Sequence, residues 1–395
     1  MAIGNVLPIE SLFFHERLPK GIHFAAFCIY VPFGIVLCIL RIFIGFHAFV
    51  VSCILRKLSS LRQIVLSCMS KLLGCIATES GIENKQLNTR HPIVLIANHV
   101  SPLDYPAVDL IQPCTLPNVW DIPALLCWAF GYVDLGVQHG RNAFVTNAKQ
   151  FCVSSKLPLL AFPEGAMTSG CAGMLKFSNW PFSLDQPVQP LVISISRPSF
   201  CDIKPIILGS RWWLDILWSF FVPYTHYRIQ WLPVVEREPN ETYDAFALRT
   251  QKAMCSAVGL EPTPHTSQDA VEYAKRVVFE QKLQDLDNKL SPMIDQVKRV
   301  LPQVPVAVIR DDLRKTKNAD TTIANILEGR VAYVPELVPP QHDRRPLRLV
   351  QIKENNPESW RSIYEHRKRI MIDENRQKYL TRQGLVPSPT QQSTN

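Results

Sequence analysis

The chain has 395 residues, 47% hydrophobic and only 19% charged, with a formal net charge of +8. Such a length supports more than one folded core, and so apolar a composition excludes a wholly disordered chain. The positive charge suits an anionic phospholipid surface; with no nucleic-acid motif and no interleaved basic and aromatic stripe, nucleic acid is not an expected partner.

The first element is the longest apolar tract, residues 21–55, in which Arg41 is the only charge. It exceeds the roughly 20 residues of one bilayer span. Pro32 and Gly34 lie near its middle, and Arg17, Lys20, Arg56 and Lys57 flank it. A break at the centre and positive flanks at both ends predict a membrane hairpin that enters one leaflet and returns. Residues 1–20 would then be a cytosolic N-terminus, with the C-terminus on the same side. Such a hairpin fits a phospholipid membrane or a droplet monolayer; one tilted span is the alternative. Residues 61–77 carry apolar side chains at helical spacing, as a helix in the interface or in a core would.

Residues 60–240 alternate short apolar runs with helical patterns. Ile93–Ala97, Leu157–Ala161 and Leu191–Ser196 read as buried strands, so this part is predicted to be an α/β domain. Just after the first run comes Asn98-His99-Val100-Ser101-Pro102-Leu103-Asp104. A histidine suits a general base, and a carboxylate within reach can orient its ring. After the second run comes Phe162-Pro163-Glu164-Gly165. Both motifs thus follow strands, where α/β sheets place ligands. Trp212, Trp213, Trp218, Phe220, Phe221, Tyr224, Tyr227 and Trp231 form an aromatic cluster that suits either a headgroup layer or core packing.

The two motifs together resemble the glycerolipid acyltransferase family, whose signatures are His-x4-Asp and Phe-Pro-Glu-Gly. The resemblance implies an acyl-CoA donor as candidate substrate and no resident cofactor. His99 would be the catalytic base, Asp104 its orienting partner, and Glu164, Gly165 and Arg141 the residues that bind the acceptor's phosphate region. Two departures stand out. Ala166-Met167-Thr168 replaces the family's Thr-Arg-Ser, and Gly136 and Arg141 only approximate its glycine-arginine block. The dyad is present and half the phosphate clamp is missing, which leaves an active transferase and a retained, inactive fold both open.

Residues 241–290 read as a connecting helical segment, with a composition shift at Glu261-Pro262-Thr263-Pro264. Residues 293–332 predict a three-helix bundle: Pro302 stops the first helix, Asn318 or Asp320 caps the third, and Gly329 ends it. This segment resembles the CUE domain, a ubiquitin-binding module. By that resemblance Val300, Leu301, Pro302, Ile326 and Leu327 would face ubiquitin; as a plain bundle they would form its core. A proline-punctuated linker follows at 333–356.

Residues 357–384 predict one basic amphipathic helix, with a disordered tail at 385–395. Eleven cysteines without CxxC spacing point to reduced thiols and no metal site. The order of parts resembles the ancient ubiquitous protein 1 family. That resemblance implies an adaptor at the endoplasmic reticulum membrane and lipid droplet surface, serving ER-associated degradation and droplet formation or clustering. Its implied partners are ubiquitin, a degradation ligase complex and a ubiquitin-conjugating enzyme. Trp360, Ile363, Tyr364, Arg367, Ile370 and Met371 would bind that enzyme.

Overall fold

In the computed structural model residues 7–55, 57, 59–85, 94–119, 123–336 and 357–382 are described, in two compact units, Met1–Asn288 and Lys289–Asn395. The first unit opens with α1 (Ile22–Ile54), α2 (Ser60–Leu72), β1 (Cys75–Ser80), β2 (Val94–Ala97) and α3 (Asp104–Ile111). Then come β3 (Leu116–Pro117), α4 (Ala124–Phe130), β4 (Tyr132–Val133), α5 (Arg141–Ser154), β5 (Leu159–Ala161) and β6 (Gly173–Met174). It is completed by β7 (Val188–Ser196), α6 (Trp212–Phe221), β8 (Thr225–Trp231), α7 (Tyr243–Val258), β9 (Glu261–Pro262) and the start of α8 (Ser267–Val300).

A five-stranded sheet of order β1-β8-β7-β2-β5 organises this unit. β7, β2 and β5 run parallel, β8 is antiparallel to β7, and β1 is parallel to β8. Side chains alternate between faces along a strand, and both faces of β7 are buried. Val188 and Val192 join a core with Phe144, Phe182 and Phe246, while Leu191 and Ile193 join one with Val108, Tyr227 and Trp231. Ile96 is paired in register with Ala161, so β2 and β5 end side by side at one sheet edge. This edge brings the segments after Ala97 and Ala161 together.

Three expectations are corrected here. The apolar tract does not reverse at Pro32 or Gly34; it is one 33-residue helix, not a hairpin. Proline removes one backbone donor, and α6 braces the helix close to that point. Gly34 leaves room for the Phe221 ring, which would lie 2.5 Å from a Cβ there, and the Tyr30 hydroxyl donates to the Phe221 carbonyl at 2.7 Å. The helix expected over 61–77 stops at Leu72, where Gly74 takes φ +80° and releases the chain into β1. Finally, 241–290 is no mere connection. Phe246, Ala247, Met254 and Cys255 of α7 lie in the sheet's core, and Glu261–Pro262 pairs with β6 where a domain boundary was expected.

The second unit holds the end of α8, α9 (Val306–Thr316), α10 (Ala319–Leu327) and α11 (Pro357–Arg382). Leu290, Val297, Val304, Ile309 and Leu313 form its core. The side-chain oxygen of Asn318 accepts from the backbone N–H groups of Asp320 and Thr321, capping α10 as expected. Residues 337–356 of the linker, and residues 383–395 at the end of the basic helix and in the tail, lie outside the described residues.

One charge holds α1 to the rest of the unit. The guanidinium of Arg41 is buried and donates to the carbonyls of Leu72 (3.1 Å), Phe220 (3.0 Å), Val222 (2.5 Å) and Pro223 (2.6 Å). These carbonyls close α2 and follow α6, where helix dipoles favour a cation. Arg41→Met leaves those buried acceptors unpaired, at a cost of about 2–3 kcal/mol. The expected outcome is a melting temperature lower by roughly 5 °C in detergent; an unchanged melt would show the contacts to be incidental.

Candidate functional site

The parallel strands β2 and β5 deliver His99 and Phe162 to one edge. Their rings stack with centroids 4.5 Å apart. Asp104, the first residue of α3, is fully buried and accepts His99 Nδ1 at 2.9 Å. Its carboxylate also takes the backbone N–H groups of Val100 (2.6 Å) and Ser101 (2.9 Å) and the Ser101 hydroxyl (2.8 Å). A carboxylate so supplied with donors only accepts, so Nδ1 carries the ring proton and Nε2 keeps the lone pair a base needs. The His99 side chain is 23% exposed. The Ser101 hydroxyl further meets that of the buried Tyr227 at 3.2 Å, which ties the dyad to β8.

Glu164 departs from its expected role. It is fully buried, and its two oxygens accept the backbone N–H groups of His99 (3.0 Å) and Leu175 (2.9 Å). It therefore positions the dyad and does not face an acceptor. Burial pushes its carboxyl up to about 8, and the two backbone donors only partly offset this. Gly165 sits at an exposed turn. Its φ is +66°, and a Cβ there would crowd Ser267 at 3.2 Å.

Beside this turn a cavity of about 650 Å³ is lined by Pro163, Arg141, Lys176, Trp180, Asp244 and Ser267, among others. The guanidinium of Arg141 donates to Asn179, which in turn donates to Asp244 at 2.8 Å. Arg141 thus lines this cavity, whereas Gly165 does not; only its neighbours Pro163 and Ser267 do. Lys176 brings a second cation that sequence reasoning missed; it lies 11 residues beyond Gly165, outside any motif. Ser101 and Tyr227 were also missed as supports of the dyad. Among the described residues no group of three or more His, Cys, Asp or Glu could hold a metal ion.

On the second unit the five expected patch residues divide. Val300 and Leu327 are 46% and 55% exposed and Pro302 is half-buried, whereas Leu301 and Ile326 are buried in the bundle core. Those two hold the helices together and cannot also face a partner. On α11 Tyr364, Arg367 and Met371 are exposed and Ile370 is half-buried. The side chains of Trp360 and Ile363 lie outside the described residues.

The class follows from these parts: an α/β domain with a His-Asp pair at its sheet edge, preceded by an apolar helix and followed by a CUE domain, which matches residues 290–330. The chain is 35% identical over 394 residues to the lipid droplet-regulating VLDL assembly factor AUP1 homolog of Caenorhabditis elegans, covering 96% of this chain and 97% of that protein. It is 38% identical over 344 residues to the Homo sapiens lipid droplet-regulating VLDL assembly factor AUP1, covering 83% and 82%. The chain belongs to the AUP1 family. A solved structure, the 1-acyl-sn-glycerophosphate acyltransferase PlsC of Thermotoga maritima, is similar with a TM-score of 0.38 and 15% identity over 58% of this chain and 97% of that one.

The Glu164 carboxyl generates a pH test. The folded group holds its proton up to about 8 and an unfolded glutamate loses it near 4.5, so the folded state binds more protons between those values. Its contribution to stability therefore falls as pH rises through that window and levels off above it. Denaturant melts at pH 5 and pH 8 should show a smaller fall for Glu164→Gln than for wild type; equal falls would remove Glu164 as the cause.

Proposed function

We propose that this chain is a membrane-attached adaptor of ubiquitin-dependent quality control at the endoplasmic reticulum and the lipid droplet surface. The observation that carries this reading is the exposed pair Val300 and Leu327 on a CUE bundle whose core is already closed without them. Apolar anchors left outside a finished core suit a small, weak interface of the kind ubiquitin makes. The apolar α1 attaches the chain to phospholipid, with both termini on the cytosolic side. α11 supplies a second arm, whose basic and apolar side chains suit a ubiquitin-conjugating enzyme.

The physical logic is effective concentration. Confinement to a membrane surface and a tethered conjugating enzyme raise the chance of meeting a substrate and its degradation ligase complex. The relatives' printed name, lipid droplet-regulating, supports a further part in droplet formation or clustering. Deletion of 357–382 should abolish binding of the conjugating enzyme in pull-downs with the full chain; retained binding would remove α11 from this role. Leu327→Asp should weaken ubiquitin binding at least five-fold by NMR titration, since it places a charge in the patch. Leu301→Asp should instead unfold the bundle.

A second reading, glycerolipid acyl transfer, is favoured by the 2.9 Å contact of His99 Nδ1 with Asp104. In it His99 Nε2 takes the proton of an acceptor hydroxyl, whose oxygen attacks the acyl-CoA thioester carbonyl. The C–S bond then breaks, and the coenzyme A thiolate takes the proton back from the imidazolium. Labelled acyl-CoA and lysophosphatidic acid supplied to nanodisc-bound protein decide the matter. Turnover that falls at least a hundred-fold in His99→Ala supports it; turnover equal in both proteins would leave the dyad without a chemical role.

A further inference from the structure

Both ends of α1 are fixed to the folded unit that contains it. Ahead of the helix, Arg17 is buried in an ion pair with Asp215 of α6, and Leu12 and Phe13 pack with Leu175, Ala270 and Tyr273. At its far end Trp128 Nε1 donates to the Cys53 carbonyl at 3.1 Å, and Phe49 meets the ring of Phe130 at 6.0 Å. Between them Arg41 is bound to the carbonyls that follow α6. A helix held at its start, middle and end by one folded body cannot cross a bilayer without taking that body along. Its length, about 50 Å at 1.5 Å per residue, therefore lies along a surface.

The free side of α1 is apolar, with Ile29, Phe33, Val36, Ile39, Phe43 and Phe46 exposed. Its apolar surface continues onto two of the helices packed beside it, α4 and α6. α4 reads Ala-Leu-Leu-Cys-Trp-Ala-Phe without a charged residue, and Trp128 is 54% exposed. α6 turns its one charge, Asp215, inward onto Arg17, and exposes Trp212 (65%), Trp213 and Leu214. The exposed cations Arg211, before α6, and Lys71, near the end of α2, complement anionic headgroups. Tryptophan favours the headgroup level.

We propose that α1, α4 and α6 form one lipid-inserted face, with α1 lying in the plane of a single phospholipid leaflet and Trp128, Trp212 and Trp213 seated beside it at headgroup depth. The inference rests on the lipid attachment proposed above and extends it: the footprint includes part of the acyltransferase-like domain, not the N-terminal helix alone. A face one leaflet deep fits a bilayer surface and a droplet monolayer equally.

The test uses the full chain on phosphatidylcholine vesicles containing some phosphatidylserine, made with and without lipids brominated near the headgroup. Bromolipid should quench the wild-type tryptophan emission. The triple variant Trp128→Phe, Trp212→Phe and Trp213→Phe keeps the apolar surface, and should lose at least half of the quenchable intensity. An undiminished quenchable intensity overturns the proposal. So does a protein whose three tryptophans are shielded because a second copy covers them, detected by cross-linking. Tags at the two termini should both be reached by protease added outside the vesicles; one protected tag means that α1 crosses and also overturns it. Failure of the wild type to float with vesicles would sink the lipid attachment itself, whereas flotation without quenching sinks only this face.

Discussion

The arrangement at the candidate site depends on one carboxyl group removed from water. Glu164 accepts the backbone of His99 with one oxygen and that of Leu175 with the other, and so joins three stretches of chain that meet nowhere in sequence. Burying a carboxyl is costly, and that burial raises its pKa. What the cost secures is alignment. The His99 ring is held by Asp104, its backbone N–H by Glu164, its carbonyl by the Thr168 N–H at 2.8 Å, and its face by Phe162. The second reading proposed above requires such restraint, because small misplacements of a base lower rates steeply. Met167 stands where the resemblance to the glycerolipid acyltransferases led to the expectation of an arginine.

The two units meet different physical demands. The first is built around a sheet covered on both faces, with polar groups confined to its edge and to buried networks. The second is a small bundle that closes its core with Leu301, Ile309, Leu313 and Ile326 and leaves Val300 and Leu327 outside. Neighbouring residues thus divide between core and surface: Leu301 beside Val300, and Ile326 beside Leu327. Consecutive positions on a helix point about 100° apart, so one pair of adjacent aliphatics can serve both purposes.

The strands β2, β5 and most of β7 were legible in the sequence as short, largely apolar runs, whereas the mixed polar patterns of β1 and β8 hid those two. The His-x4-Asp and Phe-Pro-Glu-Gly motifs followed β2 and β5. Their side-by-side placement followed from adjacent parallel strands. The role of Glu164 was not legible, since a motif names a residue without saying which way its side chain turns. Lys176 escaped because nothing local distinguishes it from a surface lysine. The hairpin expectation failed at Pro32 because helical propensity ignores neighbours, and there α6 supplies the packing that a lone helix would lack. The composition shift at 261–264 marked a strand pairing with β6, not a boundary; only the partner, some 90 residues earlier, reveals it.

The Arg41 guanidinium has a consequence for the order in which the chain can assemble. During synthesis α1 is complete long before residues 220–223 exist, so its central charge emerges without the four carbonyls that will receive it. Until α6 is made, that charge must stay at a watery or headgroup boundary, since the hydrocarbon interior penalises an unpaired arginine. The contacts that bury Arg41 are complete only once the end of α6 has been made. Burial of this one charge therefore waits on partners that lie 179 to 182 residues further along the chain.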